Sequence, residues 1–453
     1  MPQRHFIPPL KMRFSALLLL LAAPVVALAQ PKQNSPYSRF GIGDPINQFF
    51  AHQAGFGGQT AAYHDPFHLN LLNPASFARL RATSLETGLY AKFSHLSDDN
   101  STLDYWTGNL AYLALGFTLK SPINEVLDKT KSPWSYGMGI SLTPYTLVGY
   151  NVQTIDTLTD LGTVINSFEG KGGTYRLAWS SAAKYKNSSL GINLGWVFGK
   201  STYATTTEFS DSLPTFYTNQ REDLRANGFV WNLGFQHDFV LRTADNDKAQ
   251  PVRWITVGLT GEGKHNLRAE QDEIFVRSRG IAANGQYIDP DTFSSAFDVR
   301  RRVTLPATFG IGFQFVRANK LRLGAQFDYG AWSAYRNEAR PEELRNTIAV
   351  SAGVEYIPDV ISYNNYGKRI RYRLGTYYRQ DPRKVNGKGL DDIGLSFGFG
   401  FPITLPRQQT SFVNTSFELG KLGASSPIDE TYFRLTAGFT LNDNSWFYKR
   451  RFE

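Results

Sequence analysis

The feature that most constrains this chain is an alternation of apolar with small or polar residues, sustained over segments of ten residues or more. In the segment 392–401, Ile393, Leu395, Phe397 and Phe399 alternate with glycine and serine. A period of two residues indicates β-strands with one apolar face. Strands of soluble β-proteins usually have about five or six residues. Longer strands favour a transmembrane barrel, whose apolar face meets lipid while the small or polar face lines the lumen.

The alternation predicts an all-β chain of about fourteen antiparallel strands. Their ranges are 84–94, 105–119, 134–151, 173–186, 188–204, 223–240, 253–266, 303–317, 321–335, 346–357, 370–380, 392–401, 410–421 and 431–441. An even number is typical of bacterial barrels. If the first strand runs outward, the polar connections 152–172, 205–222 and 267–302 are extracellular loops, and the turns near 187 and 319 are periplasmic. The intended periplasmic connections 120–133 and 358–369 are longer than that rule predicts. A soluble β-sandwich or solenoid also alternates and is the competing interpretation.

The N-terminus predicts export. Lys11 and Arg13 precede an apolar run that ends in Ala27-Leu28-Ala29, a small-x-small cleavage pattern. The run is shorter than the ~20 residues that a spanning helix needs, so residues 1–29 are interpreted as a signal peptide cleaved near Ala29. The chain has no Cys, which excludes disulfides, thiolate catalysis, zinc–thiolate sites and a lipoprotein anchor. We therefore expect a bacterial outer-membrane location.

Four stretches of the chain, taken together and in order, resemble one known family. They are Gly57-Gly58 through Asn73-Pro74-Ala75; Ser141-Leu142-Thr143-Pro144-Tyr145; Leu305-Pro306-Ala307 to Trp332; and Tyr372 to Phe401. Each is a weak pattern by itself, but the ordered set is similar to the FadL family, outer-membrane barrels that move long-chain fatty acids and other hydrophobic molecules. We expect a family member of the type found in the envelopes of Bacteroidota.

The resemblance implies an N-terminal plug inside the barrel lumen. Residues 30–83 would form a periplasmic extension and this plug, and residues 84–441 would form the barrel. Within the plug, Asn73, Pro74 and Ala75, with Tyr63 and Phe67, are the candidate gate residues. Asn-Pro also favours an ordinary turn, and both interpretations can hold.

The resemblance also implies a hole in the barrel wall at the third strand. Proline cannot donate a ladder hydrogen bond, so Pro144 implies a local break in pairing. In the FadL family such a kink lets hydrophobic substrate leave sideways, which makes Pro144, Tyr145 and Gly149 the candidate exit residues, with Thr143 beside them. Thr146 departs from the family, which usually has glycine at that position. A simple strand terminator at Pro144 is the alternative.

The predicted function is an outer-membrane channel for passive uptake of hydrophobic molecules, fatty-acid-like or aromatic. The alternative is a FadL-like structural subunit of an outer-membrane assembly or secretion complex. That alternative rests on two aromatic extensions, the N-terminal residues 35–44 and the C-terminal tail 442–453, both expected on the periplasmic side, where they would bind protein partners.

A basic cluster and a pair of histidines have weaker functional interpretations. Arg300, Arg301 and Arg302 form a basic cluster that would contact lipopolysaccharide phosphates at an extracellular rim, and a plain solvated loop explains the same cluster equally well. His64 and His68 have a spacing that can hold a metal on a helix, but packing histidines are the better explanation. No pattern predicts an enzyme, a cofactor, a metal site or nucleic-acid binding.

Overall fold

The structure is a computed structural model of the full chain. It describes residues 35–41, 43–98, 101–120, 132–158, 162–209, 217–245, 251–281, 287–288, 290–385, 387–405, 409–423 and 429–443. The predicted signal peptide and most of the predicted C-terminal tail lie outside the described residues. None of the helices in the described residues is long and apolar enough to cross a membrane.

The described residues form twenty strands. In chain order they are β1 (Asp44–Pro45), β2 (Thr83–Ser97), β3 (Thr102–Thr118), β4 (Trp134–Leu158), β5 (Gly162–Tyr185), β6 (Ser188–Phe209), β7 (Tyr217–Thr243), β8 (Pro251–Glu262), β9 (His265–Ser278), β10 (Gly280–Ile281), β11 (Tyr287–Ile288), β12 (Asp291–Leu305), β13 (Thr308–Arg317), β14 (Leu321–Gly330), β15 (Arg336–Asn337), β16 (Thr347–Tyr356), β17 (Arg371–Val385), β18 (Lys388–Leu405), β19 (Gln409–Leu422) and β20 (Asp429–Asp443). One α-helical turn (Ala51–Ala54) and the 3-10 turns Pro36–Arg39, Pro74–Arg79, Trp332–Ala334 and Tyr366–Arg369 complete the regular structure.

Fourteen of the strands close into one antiparallel barrel, which confirms the predicted fold class. The wall runs β2 to β8, then β13, β14 and β16 to β20, and β20 pairs with β2 over the whole length of β2. The apolar face of the strands points outward, as predicted. Ile393, Leu395 and Phe397 are exposed on the outside, whereas Ser396 is fully buried inside.

Several segments predicted as long loops are strands. β4 and β5 remain paired as far as Leu158 and Gly162, β6 extends to Phe209, and β9 pairs with β12 across most of the range 267–302. In these extensions the apolar alternation stops, but β-branched residues such as Ile155, which is exposed, and Val164, which is buried, still favour pairing. These strands project from one end, which we call the hairpin end; the opposite end, with the turns at 186–187 and 318–320, is the turn end.

The N-terminal residues 35–82, here called the lumen segment, lie inside the ring of strands. Contacts reach the wall on several sides: a Cβ added to Gly137 of β4 would lie 1.9 Å from the Phe77 carbonyl oxygen, and one added to Gly258 of β8 would lie 1.9 Å from that of Ala61. Glycine is needed at such wall positions because the two backbones approach without room for a side chain.

Candidate functional site

The wall of the barrel is incomplete between β3 and β4. β3 spans Thr102–Thr118, but only its residues 113–118 pair with β4, and the last pair is Leu113 with Leu142. Toward the hairpin end the two strands have no pairing with each other among the described residues. The last paired residue of β4, Leu142, precedes Thr143 by one position and Pro144 by two, so the predicted site of the kink coincides with the end of the β3–β4 ladder.

The backbone around Pro144 explains why β4 turns away from β3. Its register against β5 shifts between Pro144 and Thr146, which leaves Tyr145 as the extra residue of a bulge. On β5, Gly172 and Gly173 have φ angles of 113° and 142°, which L-residues rarely adopt. Beyond the bulge, Leu147 is 1% exposed and pairs with Asp44 of the N-terminal region instead of with β3.

The edge of β4 that β3 leaves is covered from inside by residues 35–41 and 43–46, which we call the inner strand. Asp44 and Pro45 pair antiparallel with Leu147 and Thr146. The Ile46 N–H donates to the Tyr145 carbonyl at 3.0 Å.

Gly149, one of the predicted exit residues, completes this contact. The Ser35 N–H donates to the Gly149 carbonyl at 2.8 Å, and the Gly149 N–H donates to the Ser38 hydroxyl at 3.1 Å. Between Tyr145 and Gly149, the edge of β4 therefore bonds to the chain's own N-terminal region and not to the neighbouring wall strand.

The described part of the N-terminal extension thus lies in the barrel and not below its turn end, where the prediction placed it. Tyr37 is 1% exposed and packs with Leu96, Tyr105 and Leu390, which stand near the hairpin end of their strands. The physical reason is the open edge of β4, since unpaired backbone groups away from water must find hydrogen-bond partners.

Two charged side chains hold the inner strand at the hairpin end. Arg383 donates to the Tyr37 carbonyl at 2.9 Å and forms an ion pair with Asp44. The Glu342 carboxylate accepts from the Gly41 N–H. Burial raises the pKa of Glu342, and the Gly41 hydrogen bond opposes that shift.

Three adjoining cavities surround residues 45–47 of the inner strand and its continuation. Their volumes are about 300, 180 and 310 Å³, and Ile46 lines all of them. The 180 Å³ cavity has mostly apolar walls that include Phe40, Tyr145 and Leu344, while Arg379 lines the two larger ones. Small-molecule sites typically measure ~300–1,000 Å³, so the three spaces together match a small ligand.

Below these cavities the lumen segment is tied to the wall by buried ions. The Asp65 carboxylate accepts from Arg371 at 2.7 Å and from the His68 ring at 3.1 Å, and Arg322 lies 3.9 Å away. Asp65 is 3% exposed, so each partner removed would leave a charge inside the protein.

The predicted gate residues of the plug lie in this lower region. Asn73 donates to the Phe235 and Leu259 carbonyls of β7 and β8, each at 3.3 Å, and its side-chain oxygen accepts from the Ala75 N–H at 3.1 Å. Pro74 and Ala75 begin the buried 3-10 turn Pro74–Arg79. Asn73 therefore both caps a turn and fastens that turn to the wall.

Tyr63 and Phe67 differ in how they are held. Tyr63 is fully buried under the Arg322 guanidinium, 4.6 Å from the ring centroid. Phe67 is partly exposed, and its ring centroid lies 6.3 Å from that of Phe412. Phe67 therefore faces β19 whereas Asn73 faces β7 and β8, and the contacts of these plug residues do not include Pro144, Tyr145 or Gly149 at the wall break.

Comparison with known proteins assigns the chain to a family. A family model described as BamG matches residues 11–453. The chain belongs to the BamG family. No curated protein matches it by sequence.

Solved structures show which fold this BamG-family barrel has. The CymD monoaromatic hydrocarbon channel is similar with a TM-score of 0.52 at 15% identity, over 89% of this chain and 99% of the other. The toluene transporter TbuX of Ralstonia pickettii gives 0.51 at 12% identity, over 88% and 99%. A FadL homologue of Pseudomonas aeruginosa gives 0.51 at 13%, over 85% and 97%. The predicted FadL resemblance is thus confirmed as a likeness of fold, which favours an outer-membrane location.

The other predicted residues of the BamG-family barrel lie elsewhere. Arg300, Arg301 and Arg302 are on β12, in the projecting ribbon formed with β9, beside an open cavity of about 810 Å³. His64 and His68 contact different partners, Asp238 and Asp65, and the described residues contain no group of three metal-ligating side chains.

Sequence reasoning missed the charged residues that fix the lumen segment and the inner strand of this BamG-family protein. They are Arg322 and Arg371, which contact Asp65, and Arg383 and Glu342, which contact the inner strand. Arg373 and Glu355 pair with each other on the wall beside Arg322. A signal was present in 371–374, where Arg371 and Arg373 alternate with Tyr372 and Leu374, because arginine on the lumen face of a strand needs a partner inside the barrel.

Proposed function

We propose that this protein is an outer-membrane channel for passive uptake of hydrophobic molecules, with lateral exit between β3 and β4. The observation that carries the proposal is the wall break above Leu113 and Leu142, where the inner strand pairs with the β4 edge that β3 leaves. The solved channels with this fold are described as carrying monoaromatic hydrocarbons or toluene, which supports an apolar cargo.

In this mechanism the cargo reaches the three cavities from the hairpin end. Withdrawal of the inner strand from Leu147 and Thr146 then opens the space between β3 and β4 toward the membrane. Tyr145 lies at the wall break, as the bulged residue of β4, and also lines two of the cavities. Movement from water into lipid is downhill for apolar surface, so no energy source is required.

A reversible cross-link tests this proposal. Pro45→Cys with Thr146→Cys joins two directly opposed residues of an antiparallel pair, which lie about 4.5–5.5 Å apart, within the range of a disulfide. The chain has no other cysteine. We expect the oxidised variant to lose most uptake of a fluorescent fatty acid and of a neutral aromatic dye, and reduction to restore it.

The matched control joins two strands that the mechanism leaves in place. Ser135→Cys with Lys184→Cys links an opposed pair of β4 and β5 near the turn end. It should transport equally well oxidised and reduced. Equal uptake by the oxidised and reduced Pro45/Thr146 variant would refute lateral exit under the inner strand.

A second candidate function is a structural subunit of an outer-membrane assembly or secretion complex. Its specific support is the lower lumen, where buried ion pairs such as Asp65–Arg371 at 2.7 Å fasten the lumen segment to the wall. Gentle detergent extraction tests it: a stoichiometric companion protein, together with absent uptake by the native barrel, would favour this function over the channel.

Two surface assignments accompany the proposal. Arg300, Arg301 and Arg302 on the projecting ribbon would contact lipopolysaccharide phosphates if the hairpin end is extracellular. The C-terminal tail 442–453 would bind protein partners on the periplasmic side. Both rest on an outer-membrane orientation in which the turn end faces the periplasm.

A further inference from the structure

The connection between β16 and β17 exposes an apolar tip at the turn end. In residues 357–370, Ile361 is 85% exposed and Tyr363 is 97% exposed, the latter being almost free of protein contact. The loop is nevertheless closed at its base, because the Asp359 N–H donates to the Lys368 carbonyl at 2.8 Å. A closed loop that presents an isoleucine and a tyrosine to its surroundings indicates a surface that binds something apolar.

Hydrogen bonds attach this loop to the outer, lipid-facing side of the barrel. The hydroxyl of Tyr372 donates to the Gly367 carbonyl at 2.9 Å, and that of Tyr366 donates to the Pro402 carbonyl at 3.1 Å. Tyr372 belongs to the outward-facing side of β17, where its ring meets Phe399 edge to face at 5.9 Å. The tip therefore stands at the perimeter of the barrel and not over its lumen.

A band of aromatic and basic side chains runs around the wall beside the loop. Consecutive cross-strand partners close to the turn end form the row Arg253, Arg317, Leu321, Tyr356 and Tyr372. Aromatic residues at this level are typical of the membrane–water interface. The row therefore puts the loop at the depth of the lipid headgroups.

The basic end of the row lacks acidic partners. Arg253 and Arg317 face each other across β8 and β13, and neither forms an ion pair among the described residues. Opposed like charges destabilise a sheet unless an anion lies between them. Lys320 adds a third cation, 5.3 Å from the Tyr356 ring centroid.

We propose that this surface binds anionic phospholipid of the inner leaflet. Ile361 and Tyr363 insert between the lipid chains at the interface, and Arg253, Arg317 and Lys320 hold a headgroup phosphate. The perimeter position and the aromatic row select lipid over a protein partner, and the cations select an anionic headgroup. The site is independent of any transport through the lumen.

A single label tests the depth of the tip. Because the chain has no cysteine, Ile361→Cys gives one site for a polarity-sensitive dye in the full-length protein. In phosphatidylglycerol vesicles we expect a blue-shifted emission that lipid-borne quenchers reduce. The control is Ile155→Cys, 69% exposed on projecting β4, which should stay in water. A label at 361 as water-exposed as the control would overturn the proposal, and shielding that requires an added envelope protein would replace lipid with a protein partner.

A second measurement tests the headgroup site. Arg253→Gln with Arg317→Gln should lower retention of phosphatidylglycerol in native mass spectra by about fivefold for each arginine. The control Lys171→Gln with Arg221→Gln removes two exposed cations of the projecting strands, 69% and 51% exposed. Unchanged retention of phosphatidylglycerol in the first variant would overturn the assignment to inner-leaflet phospholipid. Binding of lipopolysaccharide at this site as strongly as phosphatidylglycerol would also overturn it.

Discussion

At the scale of single residues, the structure depends on positions where only glycine fits. Gly43 is the clearest case, because it carries a φ of 97° and an added Cβ would lie 2.6 Å from the Leu147 carbonyl oxygen. The position combines a left-handed backbone with contact to the edge of β4. Glycine there lets the inner strand reach that edge.

The substitution Gly43→Ala should detach the inner strand from β4. The strained backbone costs about 1–3 kcal/mol, and the clash with Leu147 adds to that cost. We expect faster hydrogen exchange at the Gly149 amide, which donates to Ser38 in the native protein. Gly387→Ala is the matched control, since its φ is 79° but nothing lies within 4 Å of its Cβ position. Equal exchange in both variants would contradict the assigned contact.

Buried charge is the second determinant at this scale. Asp65→Asn leaves Arg371 inside the lumen without its carboxylate, which costs about 3–5 kcal/mol when a buried pair is broken. We expect residues 60–72 to become accessible to hydrogen exchange while the wall strands stay protected. The control is Glu169→Gln, whose side chain is 57% exposed and 3.8 Å from Lys171. Unchanged protection of the lumen segment in Asp65→Asn would show that this ion cluster does not hold it.

At the scale of elements, the wall and the projecting strands are separable. Below the ribbon of β9 and β12, β8 already pairs with β7 on one side and with β13 on the other. The barrel therefore closes without the ribbon. Leu267 and Leu305 at its base are the exception, because both are 2% exposed in a core cluster.

Replacing residues 270–300 by Asn-Gly tests this separation. Ala269 and Arg301 are opposed in the native register, so a two-residue turn can join them. We expect the unheated shortened protein to migrate on a gel at a position different from that of the heated protein, as a folded barrel does. We also expect it to lose the cavity beside Arg268. Loss of the folded band would show that the ribbon is needed for closure of the wall.

At the scale of the whole molecule, the outward apolar surface determines where the barrel resides. Phe397, 41% exposed, lies in the middle of β18, whereas Leu441, 52% exposed, lies near the end of β20. In a lipid bilayer, Phe397→Arg should lower the free energy of unfolding by about 2–4 kcal/mol and Leu441→Arg by only about 0–1 kcal/mol. Denaturant titration in vesicles, followed by tryptophan fluorescence, measures both. Equal costs would mean that the two residues lie at the same depth.

Much of the wall is readable from the sequence, because a period of two is a local property of each strand. The alternation at Ile393 to Phe399 located a strand without knowledge of its neighbours, and Pro144 marked the end of the β3–β4 ladder for a local reason, its missing N–H. The same approach failed at 152–172, since strands that leave the membrane lose their apolar face and read as loops.

The sequence by itself determined that this chain closes a long-stranded barrel and that the pairing of its third wall strand is disrupted near Pro144. Only the tertiary structure decided what covers the broken edge and what fills the lumen. The pairing of Asp44 with Leu147 and the ion pair of Asp65 with Arg371 join residues about a hundred to three hundred positions apart. Such partners are set by the closure of the ring, which brings backbone groups and charges together away from water and requires them to be satisfied there.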